Sequence, residues 1–144
     1  MQPKNAEYME EVQRLFRQAP FIADLGMRLI SIAPGRCETA LDLQARHLQQ
    51  DGVVHAGVMA TMADHTSGTA GASLIVKGAY VLTAEFKINF LQAARGDGLH
   101  CIGQVLKAGR RLIVAESEVF CHGAQGDQMV AKAMVTLAVV QPKQ

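Results

Sequence analysis

The chain reads as an α+β protein in which an antiparallel sheet wraps one long helix. Two observations lead there. Residues 81–90 alternate apolar and polar side chains, and three more strand-like runs follow, set apart by turn clusters at Arg95–Gly98, Ala108–Arg110 and His122–Gln128. One helical segment, from His55 to about Lys77, interrupts the strands. Strands joined by short turns run mostly antiparallel, and a lone helix must cover one sheet face if both are to be buried.

The elements follow in chain order. Tyr8, Val12, Leu15 and Phe16 recur at helical spacing ahead of Pro20, which predicts an N-terminal helix over about residues 5–18 with one side packed onto something larger. Leu25–Ala33 and Arg36–Leu43 flank Pro34-Gly35, and Cys37, Thr39, Leu41 and Leu43 alternate with Glu38, Ala40 and Asp42, which is a hairpin signal. Residues 44–54 form a polar loop, and the long helix then runs to a stop at Gly78. In the next strand Leu82, Ala84, Phe86, Ile88 and Phe90 should face one way, with Thr83, Glu85, Lys87 and Asn89 on the other. The last strand ends at Val140.

A length of 144 residues suits one core and is short for two, and no linker or repeat divides the chain. The expectation is a single domain over 1–144, with its core over about 25–140. Fourteen basic and thirteen acidic residues leave a net charge of +1, with no basic tract and no tryptophan, so nucleic acid is not an expected partner. No stretch reaches the roughly 18 apolar residues of a membrane span, so no membrane partner is expected either. Cys37, Cys101 and Cys121 are odd in number and lack Cys-x-x-Cys spacing, which fits free thiols in a reducing cytoplasm.

The segment Gln49–Gly71 concentrates the chemistry. Gly57, Ala60, Thr61, Asp64, Gly68, Gly71 and Ile75 fall on one helical stripe, so Asp64 stands where side chains are nearly absent. Aspartate is a poor helix former, and a helical glycine costs about 1 kcal/mol relative to alanine. Close packing against a backbone or a ligand would compensate. A carboxylate near apolar walls can serve as base or nucleophile. At the helix start, His55 can fix the turn while the amides of Ala56 and Gly57 point outward to bind an oxyanion. Ala56 and Asp64 are eight positions apart, which is roughly 12 Å along a helix. One reacting carbon cannot lie within about 3 Å of both. If they act together, the turn of one subunit must meet the aspartate of another.

These residues resemble the hotdog-fold acyl-CoA thioesterases of the PaaI-like, 4-hydroxybenzoyl-CoA thioesterase-related group. The likeness is carried by Gln49–Gly52, His55-Ala56-Gly57, Met62-Ala63-Asp64, Gly68-Thr69-Ala70 and Leu82-Thr83 through Phe90, and spans about Gly26–Val139. It implies a sheet of four to six strands around the helix, dimers in which the sheets join edge to edge, and often tetramers. It further implies that Asp64 is nucleophile or base, that the Ala56 amide is the oxyanion donor, and that Thr83 helps hold the water. Gln49 stands where many members carry an asparagine near the thioester. Ala56 replaces the first family glycine, which keeps the amide and adds a methyl group to the pocket.

Family turns like Gly109-Arg110-Arg111 lie near the phosphates of coenzyme A, and guanidinium suits phosphate well; a basic hairpin tip is the plainer alternative. Met59 and Met62 would be core or acyl-pocket lining. His65 points about 100° away from Asp64 and is assigned to packing or solvent. His47, His100 and His122 lack ligand-like spacing, so no metal is expected, and no cofactor beyond the coenzyme A of the substrate. The expected activity is hydrolysis of acyl-CoA thioesters by a homo-oligomer. The alternatives are an acyl-thioester hydratase or dehydratase of the same fold and a non-catalytic acyl-CoA binder.

Overall fold

The computed structural model describes residues 1–143. In chain order it contains α1 (Tyr8–Gln18), α2 (Pro20–Leu25), β1 (Arg28–Ala33), β2 (Arg36–Asp42), α3 (Ala56–Ala72), β3 (Tyr80–Phe90), β4 (Gly98–Ala108), β5 (Leu112–Gly123) and β6 (Gly126–Val140). The six strands form one sheet in the order β1-β2-β4-β5-β6-β3, with every pair antiparallel. Helix α3 crosses the inner face and touches β2 through β6. Met62, Ala63 and Ala70 of the helix are buried against a core that includes Leu41, Leu99, Val119 and Leu137. The predicted α+β architecture stands, with three local corrections.

Pro20 does not simply end the first helix; it occupies the first turn of α2, where a missing N–H costs nothing. Helix α3 ends at Ala72 instead of near Lys77. Ser73 stops it: its hydroxyl bonds to the Ala70 carbonyl at 2.6 Å and accepts the Gly35 amide of the β1–β2 turn at 2.8 Å. This ties the helix end to the hairpin, and Leu74 and Ile75 then turn into the core. Gly78, with φ +82°, serves a separate turn leading into β3.

The third correction bears on function. Strand β3 carries a bulge at Ala84, where the pairing jumps from Thr83↔Leu137 to Glu85↔Thr136. An extra residue shifts the side-chain alternation by one. Thr83 therefore shares the helix-facing side with Phe86, Ile88 and Phe90, opposite their partners Val135, Ala133 and Ala131, and Leu82 lies on the other side. A regular strand would have turned Thr83 away from α3.

Candidate active site

Asp64 lies midway along α3, half-buried, with its carboxylate facing β3. The hydroxyl of Thr83 donates to Asp64 Oδ1 at 2.6 Å. Both line a cavity of about 270 Å³ between α1, α3 and the start of β3. The two helices run antiparallel, because Phe16 packs edge-on to His65 at a ring separation of 4.9 Å and Glu7 pairs with Lys77 at 2.5 Å. Thus α1 roofs the cavity from the Asp64 end to the end of the α3–β3 connection. Val12, Leu15 and Phe16 make that roof apolar. The sequence marks this helix as packing on one side, but nothing in it says that the surface beneath holds Asp64.

His65 also lines the cavity and packs beneath Phe16, as expected of a packing residue. Burial depresses its pKa below the ordinary 6.5, and the adjacent Asp64 carboxylate opposes that shift. Its Nε2 is buried and has no hydrogen-bond partner among the described residues.

The start of α3 forms a second recess, shared by Gln49, His55, Ala56, Met59 and Phe90. His55 precedes the helix with φ −61° and ψ 135°, and its Nδ1 accepts the Gly57 amide at 2.8 Å. This fixes the turn as expected and corrects one detail: the Gly57 amide is already engaged. Among the described residues no acceptor takes the Ala56 amide. No acidic side chain occupies the first turn, so the positive end of the helix dipole is left for an anion.

Within one protomer the two recesses share no lining residue. The remaining predicted residues fall elsewhere. Met62 is fully buried in the core and lines neither recess, whereas Met59 sits beside Ala56. Gly109, Arg110 and Arg111 form the β4–β5 turn and, with Lys4, line a third recess on the far side of Ile75 and Val76 from Asp64. Arg110 and Arg111 are exposed and make no ion pair among the described residues.

Other chemistry is less well placed. Burial raises the pKa of Cys37, Cys101 and Cys121, so the thiols stay protonated and poorly nucleophilic. Among the described residues no three His, Cys, Asp or Glu side chains group as metal ligands, and no helix is long and apolar enough to cross a membrane.

Comparison with known proteins bears on the family and the fold. Residues 51–131 match the model of the thioesterase superfamily. A protein of Saccharolobus solfataricus named as a candidate esterase is 30% identical over 138 residues, which cover 94% of this chain and 97% of that one. The crystal structure of a thioesterase family protein from Silicibacter pomeroyi superposes with a TM-score of 0.90 at 34% identity, covering 92% of this chain and 98% of that one. The Escherichia coli PaaI protein, from the phenylacetic acid degradation operon, shares the fold with a TM-score of 0.82 at 18% identity, over 95% and 96% of the two chains. The architecture is the hotdog fold.

Proposed function

The chain belongs to the thioesterase superfamily, and from that membership we propose that it hydrolyses acyl-CoA thioesters to a free acid and coenzyme A. The observation that carries this reading is the Asp64 carboxylate, held by Thr83 at 2.6 Å on the wall of a largely apolar cavity. Thr83 occupies one carboxylate oxygen and fixes the orientation of the other. As general base, Asp64 takes a proton from water while the water oxygen bonds to the thioester carbon. As nucleophile, it bonds to that carbon itself, and water then cleaves the resulting anhydride. Either way the C–S bond breaks and the thiolate leaves to be protonated.

The developing oxyanion needs donors, and the Ala56 amide at the positive end of α3 is the one that remains free. Because it lies roughly 12 Å along the helix from Asp64, the donor belongs to a second copy of the chain. Strand β3 is one of the two edge strands of the sheet and exposes Tyr80, Leu82, Phe86 and Phe90, which suits pairing with that copy. The dimer then holds two composite sites. Arg110 and Arg111 are available to the phosphates of coenzyme A. No metal or redox cofactor enters the scheme, and three free cysteines suit a reducing cytoplasm.

A thiol-release assay across acyl-CoAs tests the proposal, run with Asp64→Asn beside the wild type. The variant should lose about 10²–10⁴-fold in kcat, the usual worth of a general base. Unchanged turnover would remove Asp64 from its role. Binding of acyl-CoA by the wild type with no thiol released would mark a binder instead of an enzyme.

A further inference from the structure

We infer that the cleft between α1 and α3 receives the acyl group of the substrate, and that Gly68 sets the size limit of that group. The inference rests on the hydrolase reading and adds the substrate class. It begins with two glycines that α3 carries in its interior. A glycine there weakens a helix, so each needs a physical reason. Gly71 has one: a Cβ would meet Leu137 Cδ1 at 2.5 Å, so the helix can approach the sheet only without a side chain. Gly68 has none of that kind. A Cβ built on it meets nothing within 4 Å, and its φ is not in the left-handed range.

What an added side chain at Gly68 would enter is the Asp64 cavity, which Gly68 lines. Gly68 stands one helical turn from Asp64, beneath the apolar roof of Val12, Leu15 and Phe16. The absence of a side chain keeps the space next to the carboxylate open. Away from Asp64 the cavity runs to Asn5, Tyr8 and Glu11, where Asn5 Nδ2 donates to Glu11 at 2.8 Å. A polar end stops an apolar chain.

The volume of about 270 Å³ exceeds the roughly 150 Å³ that accommodates benzene, and at roughly 30 Å³ per small group it holds about nine non-hydrogen atoms. The fitting substrates are compact acyl groups, either one ring or a chain of about eight carbons. Long fatty acyl groups would extend beyond this space.

The experiment measures kcat/KM for acetyl-, octanoyl- and hexadecanoyl-CoA with wild type, Gly68→Ala and Gly68→Leu. The wild type should prefer octanoyl- over hexadecanoyl-CoA. Gly68→Leu should lower the octanoyl-to-acetyl ratio at least about tenfold, since one methylene in an apolar pocket is worth that much. Gly68→Ala should lower it less and carries the same test if the leucine variant fails to fold. An unchanged ratio, or an equal loss on every acyl length, would overturn the inference. If the wild type releases no thiol from any acyl-CoA, it is the hydrolase reading that fails. Calorimetry with octanoate then decides the pocket: binding weakened at least about tenfold by Gly68→Leu supports it, and binding that is absent in wild type or unaffected by the variant overturns it.

Discussion

Thr83 reaches Asp64 through its hydroxyl, and that contact is the most direct residue-level test of how the carboxylate is held. Thr83→Ala should lower kcat/KM about tenfold to a hundredfold, the range for one hydrogen bond to a charged group. Thr83→Ser should keep most of the activity, which a loss through packing alone would not allow. Steady-state kinetics on one acyl-CoA settles it. Asp64 was legible in the sequence because an aspartate is out of place on a small-residue helical stripe. Thr83 was legible only through the family resemblance, which assigns it to the water; in the fold it holds the carboxylate. His65 offers a second residue-level test. Its folded-state pKa is depressed below 6.5, so the unfolded chain binds the proton first as pH falls. Its stabilising contribution is therefore present above about pH 6.5 and is lost as pH drops through the folded-state value. Urea midpoints measured from about pH 7.5 down to pH 5.5 should decline, and His65→Gln should flatten that decline. An identical slope in the variant would assign the acid sensitivity to other groups.

Among the elements, α3 combines two demands that its glycines separate. Gly71→Ala would push a methyl group into Leu137, which is fully buried, and should destabilise the protein by about 1–3 kcal/mol. Gly68→Ala meets open space and should stabilise it by up to about 1 kcal/mol. Urea titrations of the two variants should move in opposite directions; movement in the same direction would contradict the environments described. The single stripe read from the sequence joined these two glycines, because helical periodicity reports which residues share a face but not which surface lies against it. Strand β3 shows a similar limit. Alternation located the strand, but the Ala84 bulge lies inside an unbroken alternating pattern, and nothing local marks it. The bulge is set by pairing with β6, where Thr83 must stay opposite Leu137 and Phe86 opposite Val135. The end of α3 was misplaced for the same reason: Ser73 stops the helix by bonding to the distant Gly35.

At the scale of the molecule, the wrapped sheet was legible in the sequence, whereas the second subunit is a proposal that rests on helix rise. The sequence did not reveal the roof over Asp64. An amphipathic N-terminal helix announces an apolar face, whereas the surface that Val12 and Phe16 bury against, with Phe16 on His65, is set by the fold. The central claim is that an acidic side chain and an amide donor from different subunits complete one site. Ala56→Pro removes the amide N–H and sets the ring Cδ in its place. Proline is favoured at the first helical position, and the extended backbone of His55, with φ −61° and ψ 135°, suits a residue before proline. The variant should fold and lose about 10²–10³-fold in kcat. The decisive measurement mixes this variant with Asp64→Asn by co-expression and assays thiol release. Half of randomly paired dimers then carry both variants, and one of their two sites regains an intact aspartate and an intact amide. Activity should return to about one quarter of wild type. If the mixture stays as inactive as its two components, the aspartate and the amide do not meet across a subunit boundary.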